Sequence, residues 1–320
     1  MAETPVRIKL ANRKPARGDR LFFGISSLSA MISLTLVFLI LLFLGQRSLQ
    51  TFIDQGWAFV TGSTWDATLA EPVFQIFPML YGSVLVSLIG LVIAVPTSIA
   101  VAYFIEYMAA RPIARIATLL VDLLAALPSI LIGMWGVLVF SPVAASWSKL
   151  ITVHLGHLSF FENRMDNALR SPFIAGWVVA IMIIPIITSV SREVMSRVDR
   201  ELIAAAYALG GTAFSVMRRV VIPNSRSGIL GGILLGLGRA LGETVAIFYV
   251  LNLVFKINFF HILEPEGGSI ASVIIAKFGE AESFELDALM AAGVVLFVIT
   301  LIINMIATGI VQRAEKKMAS

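Results

Sequence analysis

Six stretches of the chain are apolar almost without interruption, near residues 22–44, 79–105, 113–140, 173–190, 227–255 and 288–311. Runs beyond about 18 residues predict membrane-spanning helices, because about 20 residues cross the hydrocarbon layer. Several of these runs are longer than that, which predicts tilt or a broken helix. Pro96, Pro128 and Pro185 fall inside spans and are candidate kinks. The expected fold class is an all-α polytopic membrane protein with six transmembrane helices. Residues 1–20 read as a basic tail, 21–78 as the first span with an outer loop, 79–311 as a five-span core, and 312–320 as a second tail. The first span is too long for a signal-peptide core and is followed by GQRSLQ, so it reads as a retained anchor.

The polar positions between the spans set the orientation. Arg7, Lys9, Arg13, Lys14, Arg17 and Arg20 precede the first span, and Arg111 and Arg115 follow the second. Arg192, Arg197, Arg200, Arg218, Arg219 and Arg226 crowd the connection 191–226, and Arg313, Lys316 and Lys317 close the chain. The opposite connections hold only Arg47, Lys149, Arg164, Arg170, Lys256 and Lys277. By the positive-inside rule both termini and the 191–226 loop are expected in the cytoplasm.

Composition agrees with lipid as the solvent: 58% of residues are hydrophobic, 14% are charged, and the mean hydropathy is +0.92. The net charge of +4 then reflects topology, with no call for a nucleic-acid partner. There is no cysteine, which removes disulfides and thiolate chemistry. His154 and His157 lie three apart but lack a third ligand nearby, so they read as a solvated loop. No G-x-x-x-x-G-K-[ST], no H-E-x-x-H and no nucleophile with a base occurs, so neither an enzyme nor a cofactor is expected.

The fifth span, SGILGGILLGLGRALGETVAIF, carries charge inside an apolar run. Gly228, Gly232, Gly236 and Ala240 recur at every fourth position, and at helical spacing Arg239 and Glu243 share their stripe. Small residues at that interval let helix backbones approach closely in lipid. An arginine at mid-membrane costs about 2.5–3.5 kcal/mol on the gentler insertion scale, so Arg239 should face protein or water. Two roles compete. Arg239 and Glu243 neutralise each other across one turn, or Arg239 offers its donors to a passing oxyanion while Glu243 limits how tightly that anion is held. Asp122, about nine residues and roughly 13 Å into the third span, is a further buried candidate with Arg239 or Arg115 as partner.

Outside the spans, Trp57 and Trp65 read as interfacial anchors or as part of a docking surface. The connection 256–287 is acidic, carrying Glu264, Glu266, Glu280, Glu282, Glu285 and Asp287. It is either a solvated loop or a surface for an extracytoplasmic protein.

Within the basic connection, ELIAAAYALGGTAFSVMRRVVIP (201–223) spaces Ala204, Ala205 and Ala206, then three residues, Gly210, nine residues, Val220, one residue, Ile222 and Pro223. This resembles the EAA signature, EAA-x3-G-x9-I-x-L-P, of the membrane subunits of ATP-binding-cassette importers. Ala204 stands where the signature has Glu, and Glu201 lies about one turn earlier on the same face. Together with AALPSILIGMWGVLVFSP (125–142), GILGGILLGLGRALGETVAIF (228–248) and KFGEAESFELDALMAAGVVLFVIT (277–300), the chain resembles the PstC family of phosphate-importer permeases over most of its length.

The resemblance implies a type I importer (MetI-like) fold in the bacterial inner membrane. It further implies a homologous second permease (PstA-like), two ATPase subunits (PstB-like) and an extracytoplasmic phosphate-binding protein (PstS-like). The 201–223 segment would dock on the ATPase, and Arg239, Glu243 and Asp122 would line or gate the path. Alternatives are a permease for sulfate or molybdate, a secondary transporter coupled through the same charges, and a sensor or scaffold.

Overall fold

The computed structural model describes residues 17–165, 168–257, 259 and 261–319, with only the backbone at Arg17 and from 310 onward. Arg7, Lys9, Arg13 and Lys14 of the basic tail therefore lie outside the described residues, as do the side chains of Arg313, Lys316 and Lys317.

Helix α1 (Arg17–Gln55) is apolar on every side, and most of its side chains are exposed. A helix with no polar face is one that lipid solvates. A short α2 (Ala58–Thr61) and a two-stranded antiparallel hairpin, β1 (Trp65–Asp66) and β2 (Val73–Phe74), then lead into α3. Helix α3 (Phe77–Tyr103) ends in a π-helical turn over 104–108. Helices α4 (Arg111–Ala126), α5 (Ser129–Trp135) and α6 (Ser141–Leu155) follow, the last two joined through a π turn at 136–140. Helix α7 (Pro172–Ser196) is the most buried span. The second half holds α8 (Arg200–Ala208), α9 (Ala213–Val216), α10 (Ile222–Leu241), α11 (Val245–Val250), α12 (Ile270–Lys277) and α13 (Ser283–Ala319).

Among the described residues, six helices are long and apolar enough to cross a membrane: 18–55, 77–108, 129–155, 172–196, 213–241 and 283–309. The number matches the apolar pattern, but two spans differ from it. The expected third span, 113–140, is divided. Pro128 has no N–H and pushes Leu127 to an extended ψ of 131°, so α4 stops at Ala126 and the continuous helix starts at Ser129. The expected fifth span, 227–255, starts earlier and stops at Leu241. Glycines at 238 and 242 weaken the last turn. Glu243 then turns its carboxylate onto the Ala246 N–H at 3.3 Å, which starts α11.

The centre of the bundle is α3 and α10 packed on α7, with α5 and α11 on its flank. Pro96 and Pro185 sit inside α3 and α7. Helix α1 leans mainly on α13. At one end of the bundle lie α8 and α9; at the other lie the hairpin and the segments 156–171 and 251–282. Residues 263–273 at that second end are all buried. A Cβ at Gly82 would collide with the Gly268 carbonyl, so this loop and α3 meet backbone to backbone. The 256–287 connection is therefore not simply a solvated loop: Glu264, Glu266 and Glu285 are buried while Glu280 and Glu282 are exposed.

Candidate coupling segment and translocation path

Residues 199–223 form two short helices at a sharp turn. Asp199 caps α8 by accepting from the Glu201 N–H at 2.8 Å, which satisfies one free donor of the first turn. Helix α8 ends where Gly210 takes φ +80°, a left-handed conformation that glycine adopts without steric penalty. The Gly210 and Gly211 N–H groups close the turn on the carbonyls of Tyr207 and Ala206 at 2.9 and 3.0 Å. Thr212 then caps α9. From Ala213 to Leu241 the helix is continuous through a π turn at 217–221, and Pro223, which lacks an N–H, stands directly after that turn.

One face of this segment is open and the other is bolted down. Glu201, Leu202, Ala204, Ala205, Tyr207 and Phe214 are exposed, and Leu209 at the tip is 90% exposed. On the inner face Ile203, Ala206, Val216 and Val220 pack against Ala102, Tyr103 and Met195. The Tyr103 hydroxyl donates to the Ala213 carbonyl at 3.0 Å, and the Tyr107 hydroxyl donates to that of Met195. Those two tyrosines, one at the end of α3 and one in the π turn after it, make anchoring contacts that sequence reasoning missed. Their only signal is a Tyr pair at i, i+4 closing an apolar run.

The small-residue stripe of α10 faces α7. A Cβ at Gly228 would strike Val194, one at Gly232 would stand 3.1 Å from Val190, and one at Gly236 would stand 2.9 Å from Ile187. Ala240 is buried on the same side. Arg239 is not part of that contact. It is exposed, next to exposed Leu235, on the flank of the helix that the single chain leaves open. Glu243 is 8% exposed and lies past the helix end. Among the described residues no ion pair joins the two. The expectation that they neutralise each other across a helical turn fails because the turn between them is not helical.

Asp122 is also displaced from its expected place. It lies on α4, which touches α7 through Thr118, hydrogen-bonded by Arg192, and through Leu124, which lines a cleft with Ile181. Asp122 is nonetheless exposed, with no ion pair to Arg239 or Arg115 among the described residues. The path candidates are thus not brought together within one chain.

Residues 94–320 match the family model described as "Binding-protein-dependent transport system inner membrane component". The chain belongs to that family. It is a multi-pass inner-membrane protein and a transport-system component. A relative from Pasteurella multocida (strain Pm70), named phosphate transport system permease protein PstC, is 37% identical over 84% of both chains. One of the same name from Xylella fastidiosa (strain 9a5c) is 35% identical over 95% of this chain and 94% of its own. Among solved structures, a bacterial alginate ABC transporter, in complex with an alginate pentasaccharide-bound periplasmic protein, superposes with a TM-score of 0.61. It covers 92% of this chain and 96% of that one at 15% identity, a likeness of fold.

At the end of this family member remote from α8, charged side chains pair across loops. Arg164 Nε donates to Glu162 at 2.8 Å, His261 approaches the same carboxylate at 3.4 Å, and Lys256 Nζ donates to Glu266 at 2.7 Å. The hydrogen bond from Arg164 holds the Glu162 carboxyl below its ordinary range, and that from Lys256 to Glu266 raises the lysine. Arg164, Lys256, His261, Glu264 and Glu266 line a hollow of about 310 Å³ there. The expected interfacial Trp65 is instead packed between Phe74 and Phe255, while Trp57 is 85% exposed.

Proposed function

We propose that this chain is the permease subunit of an ATP-driven importer of inorganic phosphate, moved by a separate ATPase. The observation that carries the reading is the similarity to phosphate permeases over 95% of the chain, together with an arginine on the open flank of α10. A fixed cation with planar donors suits an oxyanion. In lipid Arg239 would be costly, so the open flank is read as facing the path and a homologous second permease subunit.

The geometry supports a lever. The exposed face of α8 and its Leu209 tip is the surface offered to one of the two ATPase subunits in the cytoplasm, with both termini on the same side. Tyr103 ties α9 to α3, Tyr107 ties the same end to α7, and the continuous helix 213–241 runs from α9 to Arg239. At about 1.5 Å per residue this rod is roughly 43 Å long. Displacement at α8 therefore arrives at Arg239, while the break at 242–244 lets α11 stay with α5 and α7. An extracytoplasmic binding protein delivers phosphate at the opposite end. Glu243, buried beside the break, keeps the site from holding the anion too tightly.

The test is uptake of labelled phosphate by the reconstituted permease pair, ATPase and binding protein. Arg239→Ala is expected to abolish uptake and leave assembly intact. Uptake without ATP would identify a secondary transporter, and uptake of sulfate or molybdate in place of phosphate would reassign the substrate. Normal uptake by Arg239→Ala would make the arginine structural.

A further inference from the structure

The sixth span carries one amide in an otherwise aliphatic stretch, LIINMIATG, at Asn304. Its neighbours on α13 satisfy themselves locally. The Thr300 hydroxyl donates to the Leu296 carbonyl at 2.7 Å, and the Thr308 hydroxyl donates to the Asn304 carbonyl at 2.7 Å. The Asn304 side chain does not follow them: Oδ1 is shut off from solvent and accepts no hydrogen bond among the described residues. A buried amide oxygen without a donor is unfavourable anywhere, and more so in a membrane where water cannot supply one.

The position of this amide says what it is for. Its Nδ2 lies 4.0 Å from where a Cβ of Gly238 would stand, against the last turn of α10. The Gly238 carbonyl already accepts from the Gly242 N–H at 3.2 Å, so the backbone of that turn does not need the amide. The next residue along α10 is Arg239, which has five N–H donors and neither an ion pair nor a hydrogen bond among the described residues. One amide with an unused acceptor thus lies against the turn that carries the arginine, one residue along α10 from a guanidinium whose donors are unused.

We infer that Asn304 is a positioning residue for Arg239: its Oδ1 accepts from the guanidinium in one state of the transport cycle and releases it to the anion in the other. In the state described here the guanidinium faces the open flank and Oδ1 is vacant. When the rod 213–241 turns, the arginine swings onto Asn304 and the anion loses its counter-charge. This rests on the reading of Arg239 as a path residue.

The experiment is a double-mutant cycle on labelled phosphate uptake by the complete reconstituted transporter, with Arg239→Lys and Asn304→Leu. Asn304→Leu is expected to lower uptake about tenfold, the scale of one hydrogen bond to a charged group, and Asn304→Gln to restore most of it. Because both residues act in one step, the double variant should transport no worse than Arg239→Lys alone. Losses that multiply, or Asn304→Leu transport at the unmodified rate, would overturn the assignment while leaving Arg239 in the path. Full uptake by Arg239→Lys and by Arg239→Ala would instead overturn the parent reading and this one with it. If Asn304→Leu does not assemble with its partners, Asn304→Ala, which only removes atoms, serves in the same cycle.

Discussion

The indole N–H of Trp65 donates to the Glu285 carboxylate at 2.6 Å, and Lys277 Nζ donates to the same oxygen at 2.8 Å. Two residues 220 apart in sequence thus join the hairpin after the first span to the first turn of the sixth. Trp65 also packs on the tilted ring of Phe74 and stacks on Phe255, with ring centroids 5.0 and 5.6 Å away. Trp65→Phe keeps a ring in that stack but removes the donor. The loss of one hydrogen bond to a charged group, about 1.5–3 kcal/mol, should appear as faster amide exchange in residues 65–74 and 277–286. Unchanged protection would mean that the clasp does not hold this end together.

The contact between α10 and α7 makes a graded prediction. At Gly236 a side chain would enter Ile187, whereas at Gly231 nothing lies within 4 Å. Gly236→Val should destabilise the detergent-solubilised protein by about 1–3 kcal/mol through overpacking. Gly231→Ala should be neutral or stabilising by up to about 1 kcal/mol, since it removes a glycine from a helix interior. Thermal unfolding of both variants checks this, and equal effects would contradict the packing described.

Acid should loosen the far end of the bundle. The Glu162 carboxyl is held below its ordinary value of 4.5, first by the hydrogen bond from Arg164 and also by His261. A carboxyl lowered in the folded state contributes fully above pH 4.5 and loses that contribution as pH falls through the lowered value. Intrinsic-rate-corrected amide exchange in residues 159–165 should therefore rise below pH 4.5 in the unmodified chain. Glu162→Gln should already exchange fast at neutral pH and respond little to acid.

Much of this architecture could be read from the sequence. Unbroken apolar runs announce the number of spans because lipid leaves so few other ways to satisfy the backbone. Glycines every fourth residue announce the stripe that meets α7. The alanine-glycine spacing at 204–210 marks the segment whose turn requires φ +80°. Where the reading failed, a local competitor won. Pro128 split the third span, and with it went the depth assigned to Asp122. Glu243 found the Ala246 N–H instead of Arg239, ending the helix whose periodicity had put both charges on one stripe. Trp65 and Glu285, the buried carboxylates at 264 and 266, and Asn304 beside Gly238 are long-range pairings. Periodicity carries no information about which distant residue a side chain meets.

The central claim is that 200–223 is the surface an ATPase grips from the cytoplasm. The chain contains no cysteine, so Leu209→Cys places a single thiol at the most exposed point of that surface. A membrane-impermeant maleimide should label it in inside-out vesicles and not in right-side-out ones, and a short bifunctional reagent should join it to the ATPase subunit. Labelling from the outer face, or no cross-link in a complex that hydrolyses ATP and transports phosphate, would contradict the account.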